Sequence, residues 1–313
     1  MDFPIGSLMD PDACFQALLD WLHPDGLACP RCQNQDRLRV HRRHRAPILD
    51  YRRGACKKVF NLFTKTALQG SKRPVVQIVL ILRGFAQGVA AAQLARELEC
   101  DRTEPHFLRH RLQKAAFQNR DRMPLDDPVI EADEMYQNAG EKGVSHVEPD
   151  DPPRSRANKR RGHGTSMNDR PPICGVVGRE SGQVRLSVVD QSDGATLRRV
   201  VRKASWPGTT VDTDEWGGYN GLRAMGRGHA TVCHARGEWA RDDDGDGINE
   251  VHDKTMEGLW TGLRNFLRPF RGVSKKYLYQ YAAMFEWGYN VKRATLGFMR
   301  ALLGVESATK CPT

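Results

Sequence analysis

Three acidic residues far apart in the chain could act together on a phosphodiester. Asp133 lies in Val129-Ile130-Glu131-Ala132-Asp133-Glu134-Met135-Tyr136, Asp214 in Val211-Asp212-Thr213-Asp214-Glu215-Trp216, and Glu257 in Thr255-Met256-Glu257-Gly258-Leu259-Trp260. The first two end short apolar stretches that predict strands; the third opens a segment of helical periodicity. Carboxylates delivered by two strands and a helix can hold divalent metal, and such metals activate water or a 3′-hydroxyl and stabilise a leaving oxygen. Strand alternation leaves a choice open: Glu131 shares a face with Asp133, and Asp212 with Asp214, so spacing does not select within either pair. On the helix, Glu257, Trp260 and Arg264 fall at i, i+3 and i+7, on one face, where Arg264 is placed to meet a phosphate.

The surroundings are basic. The 313-residue chain carries 48 Lys+Arg against 38 Asp+Glu, a formal charge of +10. Residues 37–73 hold twelve basic residues against one acid, Asp50. Such a surface suits a polyanion partner, because Lys and Arg displace counterions from phosphates. No apolar run approaches the ~18 residues of a membrane span, and the N-terminus lacks a basic-then-apolar signal pattern. Eight Cys do not amount to disulfide density, so a soluble protein in a reducing, cytosolic setting is expected.

The elements that must position the acids read as follows. Residues 10–23 predict an amphipathic helix through Phe15, Leu18, Leu19 and Leu22. Residues 27–63 predict a small basic β module; with the helix they form an N-terminal region over 10–73. In it, Cys29-Pro30-Arg31-Cys32 has knuckle spacing and Cys56 stands where a second knuckle ends, with Arg53 where a fourth Cys would be. Zinc on Cys29, Cys32 and Cys56, completed by His41 or His44, is one reading; a ribbon held by packing alone is the other.

Residues 74–127 predict a helix-turn-helix region. Gln93-Leu94-Ala95-Arg96-Glu97-Leu98 precedes a second helix from about Glu104, with Pro105 in its first turn. That helix offers Arg109, Arg111 and Lys114 to DNA. Residues 128–301 predict a mixed α/β domain, with strands at 128–136, 172–179, 183–190 and 209–214, a helix at 194–203, and helical segments from Thr255. A Pro-rich, charged insertion at 138–172 interrupts it, with Lys159, Arg160 and Arg161 as further DNA contacts. Asp242-x-Asp244-x-Asp246-Gly247 has part of a calcium-loop spacing, but Asn249 and Asp253 stand where such a loop needs an apolar residue and a bidentate Glu; it reads as an acidic surface loop.

Taken in order, these motifs resemble the DDE transposases of bacterial insertion sequences, specifically the ISXO-like group with an N-terminal zinc ribbon. The resemblance rests on Cys29-Pro-x-Cys32, Cys56 to Phe60, Ala67-Leu68-x-Gly70-Ser71-Lys72, Glu131-Ala-Asp133-Glu134-Met-Tyr136, Thr213-Asp214-Glu215, Glu257-Gly258-x-Trp260, Gly272-Val-Ser-Lys275-Lys276-Tyr-Leu278 and Glu286-Trp287-x-Tyr289-Asn290. It implies a ribonuclease-H-like catalytic domain, with Asp133, Asp214 and Glu257 holding Mg²⁺ or Mn²⁺ and Arg264 where the family has Lys. It also implies double-stranded DNA (transposon ends and target) as partner, an assembly of two or more copies, and a bacterial, nucleoid-associated location. Two residues depart from the pattern: Lys254 replaces an Asn, and Arg53 a ribbon Cys. A DNA-binding protein without catalysis, and a nuclease that cuts without joining, are the alternatives.

Overall fold

The computed structural model describes residues 5–140, 161–243, 245–247, 249–291 and 303–304. They form two compact units. The first runs up to Arg120 and includes Val291 and Leu303–Gly304; the second is Asp121–Asn290.

The first unit opens with helix α1, Pro11–Leu22, close to the expected 10–23. Asp10 starts it by accepting from the N–H groups of Asp12 (2.9 Å) and Ala13 (3.3 Å), satisfying donors that have no partner inside the helix. Its apolar face, Cys14, Leu18, Trp21 and Leu22, is buried, and it packs on α2, Val75–Ala86. In the chain between these two helices comes a three-stranded antiparallel sheet of β1 (Leu38–Arg45), β2 (Ile48–Arg53) and β3 (Val59–Phe60). Ile48, Phe60, Leu62 and Phe63 are buried beside it, so the basic module has an apolar interior. Two further helices follow, α3 (Ala91–Glu97) and α4 (Thr103–Asn119), with Pro105 in the first turn of α4.

The second unit is built on a five-stranded mixed sheet. Its strands are β4 (Val129–Tyr136), β5 (Pro172–Gly178), β6 (Val184–Val188), β7 (Thr210–Thr213) and β8 (Gly228–Thr231), in the order β6-β5-β4-β7-β8. The β4–β5 and β5–β6 pairs are antiparallel, β4–β7 and β7–β8 parallel. Helix α5 (Gly194–Ala204), capped by Asp193, covers one face over Ile130, Ala132, Val176 and Val211. Helices α6 (Lys254–Leu267) and α7 (Leu278–Val291) cover the other over Met135, Ile173, Val177 and Leu186. A mixed sheet flanked by helices is thus the observed architecture, with strands within a residue or two of those expected.

Edge strand β6 is closed by α7. Glu286 accepts from Leu186 N (2.7 Å), and Asn290 accepts from Val184 N (2.7 Å) while donating to Val184 O (3.0 Å). Two side chains one helical turn apart thus satisfy backbone groups that an edge strand otherwise leaves open.

A candidate acidic site at the ends of the central strands

Side chains alternate along β4. Glu131, Asp133 and Met135 turn toward α6, while Ile130, Ala132 and Glu134 turn toward α5. In the parallel ladder Glu131 pairs with Asp212, so two residues on, Asp133 and Asp214 come level, just where β7 ends. The same-face acids that spacing leaves equivalent have different surroundings.

Glu131 is wholly buried and spent on structure. Its carboxylate accepts from Thr255 N (3.0 Å), Thr255 Oγ1 (2.7 Å) and Met256 N (3.1 Å), the first turn of α6. It also pairs with Arg179 (3.1 Å). Asp253, at the N-cap of α6, makes no side-chain capping bond, so Glu131 supplies the negative charge that a helix N-terminus favours. Arg179 further pairs with Asp212 (2.9 Å) and donates to the carbonyls of Glu250 and His252. Burial lifts Asp212 to about 6 despite that guanidinium. Glu131, Arg179 and Asp212 therefore lock β4, β7 and the start of α6 together.

Asp133 has a different environment. Trp260 of α6 donates to its Oδ2 at 2.7 Å. Burial, then the negative charges of Glu134 and Asp214, push its carboxyl up to about 7, against that bond. Gly175, its partner on β5, makes the Trp260 contact possible. A Cβ there would stand 2.7 Å from Met256 Cε and 2.7 Å from Trp260 Cη2. Asp214 also lies above the usual carboxylate range, through burial and the charges of Glu215 and Asp253. Its Oδ1 accepts from Trp216 N (3.0 Å).

Glu257 lies one turn before Trp260 on α6, about 4.5 Å along the axis. Its carboxylate is exposed, and among the described residues no hydrogen bond or ion pair holds it. The carboxylate oxygens of Asp133, Asp214 and Glu257 do not all lie within 4.8 Å of one another, as the three thiols discussed below do. The expected close cluster of all three carboxylates is therefore not seen: Asp133 and Asp214 act on one another by charge, and Glu257 stands exposed on α6. Arg264 is exposed two turns past Glu257, and its charge falls on Arg170.

Neighbours that spacing did not single out complete the site. Glu134 accepts from Tyr219 Oη (2.7 Å) and Tyr136 Oη (3.2 Å), and burial beside Asp214 raises its pKa. Burial opposes the charge of His234, but its Nε2 bond to Asp253 (2.9 Å) together with the charges of Asp253, Glu215 and Asp214 raises the imidazole pKa. Its backbone N–H and that of Ala235 are accepted by Glu215 (2.9 and 3.2 Å). Glu134, Tyr136 and Glu215 stood within the quoted motifs without an assigned role, and Trp260 carried a signal through its i+3 spacing from Glu257.

The three cysteines of the β module do converge. Cys29 and Cys56 Sγ are 3.5 Å apart, Cys32 and Cys56 Sγ 3.8 Å, near the ~3.8 Å edge that a tetrahedron of ~2.3 Å Zn–S bonds requires. Burial opposes ionisation of Cys29, but the backbone N–H groups of Arg31 and Cys32 and the neighbouring thiols outweigh it and hold Cys29 at about 7, so the set fits a thiophilic cation. Neither expected histidine joins: among the described residues the group comprises the three thiols alone. His41 and His44 sit on β1, and His44 lies 3.9 Å from Asp50. Arg53, in the fourth position, is buried and donates to Asp36 O.

Of the expected DNA contacts, Arg109 needs correction. It is buried, its guanidinium donating to Val89 O and lying 4.5 Å from the Phe85 ring. The packing of α4 on α3 takes that face inward. Arg111 and Lys114 are exposed, Arg111 donating to Gln69 O (2.8 Å). Arg161 is exposed; Lys159 and Arg160 lie outside the described residues. In the acidic loop, Asp242 accepts from Gly245 N (2.6 Å) and Gly247 N (2.8 Å), using both carboxylate oxygens within its own turn. No helix among the described residues is long and apolar enough to cross a membrane.

Comparison with known proteins bears on this site. A protein described as uncharacterized, in the transposable element ISH50 of Halobacterium salinarum, is 28% identical over 269 residues, covering 84% of this chain and 85% of its own. Among solved structures, a pre-cleavage Mos1 transpososome is similar at TM-score 0.29 and 12% identity, over 74% of this chain and 79% of its own. A simian T-cell lymphotropic virus intasome in complex with PP2A regulatory subunit B56 gamma is similar at TM-score 0.31 and 12% identity, over 66% and 67%. The model of the ISXO2-like transposase domain matches residues 124–290, which contain the whole sheet, both strand acids and α6. The chain belongs to the ISXO2-like transposase family.

Proposed function

We propose that the chain cuts and joins DNA at the ends of an insertion sequence. Asp133 and Asp214 supply two of the metal ligands and Glu257, on α6, the third. The observation that carries this reading is Asp133: a partly buried carboxylate that accepts from Trp260 (2.7 Å) and is lifted to about 7 by burial and the charges of Glu134 and Asp214. Such a charge is costly unless a cation offsets it. Oxygen donors of this kind suit Mg²⁺ or Mn²⁺. Bound there, a divalent ion would supply Lewis-acid stabilisation to an in-line displacement at phosphorus.

The chain's own part is positioning. Glu131 and Arg179 fix the start of α6, so Glu257 and Trp260 are presented from a defined register. Trp260 orients Asp133. Arg264 meets a phosphate beside the acids, and the exposed Arg111, Lys114 and Arg161 hold the duplex by charge. We read the domain as ribonuclease-H-like, α3 and α4 as a helix-turn-helix reader, and the β module as a zinc ribbon with three protein thiolates and water as fourth ligand. Two or more copies pair two element ends, in the bacterial cytoplasm at the nucleoid.

The test is Mg²⁺-dependent cleavage of labelled DNA carrying the element's terminal repeats, followed by joining to a plasmid. Asp133→Ala, Asp214→Ala and Glu257→Ala each abolish cleavage while duplex affinity stays within about threefold. Normal cleavage by Asp133→Ala would refute the assignment. One observation favours a second reading, DNA binding without catalysis: Glu257 stands exposed and, among the described residues, without a partner, three residues after Lys254, a cation at the first residue of α6. Wild-type protein that binds the ends and cleaves nothing at any Mg²⁺ or Mn²⁺ concentration supports that reading.

A further inference from the structure

Two indoles beside the acidic site are exposed in a way that the positioning of the carboxylates does not explain. Trp216 is 41% and Trp239 56% exposed. Exposed tryptophan is unusual unless something covers it, and both rings are fixed rather than free. The backbone of Trp216 is tied to Asp214 (3.0 Å), and its ring lies 5.0 Å from His163 at 34°. His163 is in turn fixed by a 2.7 Å bond to Tyr136 Oη. Gly218 passes close beneath the ring: a Cβ there would stand 2.5 Å from Trp216 Nε1. Trp239 leans on His234, ring centroids 4.7 Å apart, and His234 is held by Asp253 (2.9 Å). Each indole therefore has one side backed by an anchored imidazole and area left open to solvent. Trp216 follows Asp214 by two residues and its backbone N–H bonds that carboxylate, and His234, on which Trp239 leans, acts on Asp214 by charge, so both indoles belong to the segments around Asp214.

The occupant is constrained by charge. Asp133, Glu134, Asp214, Glu215 and Asp253 crowd the vicinity, and a phosphate not held through a metal ion is repelled from them. A neutral, planar group of the size of one indole is not. We propose that Trp216 and Trp239 form a stacking site for nucleobases unpaired from the duplex next to the reacting phosphate. This rests on the DNA-acting reading above and adds to it a contact with the bases themselves. Unstacking a base is costly, and aromatic platforms recover that cost without reading sequence. The two rings thereby favour DNA whose end is frayed or single-stranded over intact duplex.

The experiment compares three probes on the full chain in Ca²⁺ buffer by fluorescence anisotropy. They are a blunt hairpin duplex, the same duplex with a four-nucleotide dT tail, and that duplex with an abasic tail. Wild type binds the dT tail about tenfold more tightly than the abasic tail, the scale of one or two base–aromatic stacks. Trp216→Ala and Trp239→Ala each reduce that ratio to about twofold or less, Trp216→Phe and Trp239→Phe keep most of it, and blunt-duplex affinity is unchanged throughout. A wild-type ratio near one, with blunt duplex still bound, overturns the stacking site and leaves the DNA-acting reading standing. Alanine variants that keep the full ratio overturn it too, as does a ratio near one with variants that shift the oligomeric state, which assigns the rings to a second copy. Failure to bind any of the three probes overturns both readings.

Discussion

Glu131 tests whether the two same-face acids of β4 are divided between support and chemistry. Its carboxylate is fully buried, paired with Arg179 at 3.1 Å, and accepts three hydrogen bonds from Thr255 and Met256. Removing one member of a buried pair costs about 3–5 kcal/mol, and losing a helix cap about 1 kcal/mol more. Arg179 retains Asp212 at 2.9 Å, which places the ion-pair loss at the low end. Glu131→Gln, which keeps an acceptor for the α6 N–H groups, therefore costs about 3 kcal/mol. Glu131→Ala costs about 4–5 kcal/mol, a large part of the 5–15 kcal/mol typical of a domain. Urea unfolding followed by tryptophan fluorescence measures this on the relevant unit, because five of the six Trp lie in Asp121–Asn290. Cleavage by Glu131→Gln falls in proportion to misplacement of α6 and recovers partly at low temperature. A Glu131→Gln variant that unfolds within about 1 kcal/mol of wild type yet has no cleavage at any temperature would overturn this division. Glu131 would then be the metal ligand, and Asp133 would not.

Asp133 carries the opposite sign. Its folded pKa of about 7 lies above the unfolded value near ~3.9, so the unfolded chain loses its proton first. Stability falls as pH rises from about 4 to 7, by up to about 4 kcal/mol. Asp133→Asn removes its share of that slope, leaving the smaller part from Asp212, Glu134 and Asp214, and is more stable than wild type at pH 8 in EDTA, and Mg²⁺ stabilises wild type but not the variant; equal pH profiles would count against the assignment. Gly175→Ala drives a methyl into Trp260, costs about 1–3 kcal/mol, and moves the apparent pKa of cleavage upward by weakening the bond to Asp133; an unchanged pH–rate profile speaks against Trp260 as the orienting group. Purified protein holds about one zinc per chain on its three thiolates, Cys56→Ser loses it, and Arg53→Cys tightens it; elemental analysis finding none in a folded wild type leaves a ribbon held by packing. Strand transfer falls further in Arg264→Ala than in Arg264→Lys, because Lys keeps the charge but not the bidentate fork, and Lys254→Asn changes cleavage of the same labelled ends; indifference to both takes this face of α6 away from the chemistry.

Periodicity alone located β4, β5, β6, β7 and α5 to within a residue or two, because apolar alternation and caps such as Asp193 are local properties of the chain. The knuckle spacing of Cys29 and Cys32, with Cys56 far downstream, was enough to foresee three thiols in one place. The ordered motifs were enough to foresee the transposase family. Other features were settled only when distant segments met. Arg109 has the spacing of a surface cation, yet the packing of α4 takes it inward onto Phe85 and Val89, and no pattern along one helix reveals which face its neighbour covers. His41 and His44 are as close in sequence to the cysteines as a fourth ligand should be, but β1 carries them away. The acids show the limit most sharply. A period of two makes Glu131 and Asp133 equivalent, as it does Asp212 and Asp214. Only in the fold does the N-terminus of α6 bond Glu131 and does Arg179 reach both Glu131 and Asp212, while Asp133 meets Trp260 and Asp214 the backbone of Trp216. That division is electrostatic and long-range. It depends on residues 48 and 124 positions away from Glu131, and it exists only in the folded chain.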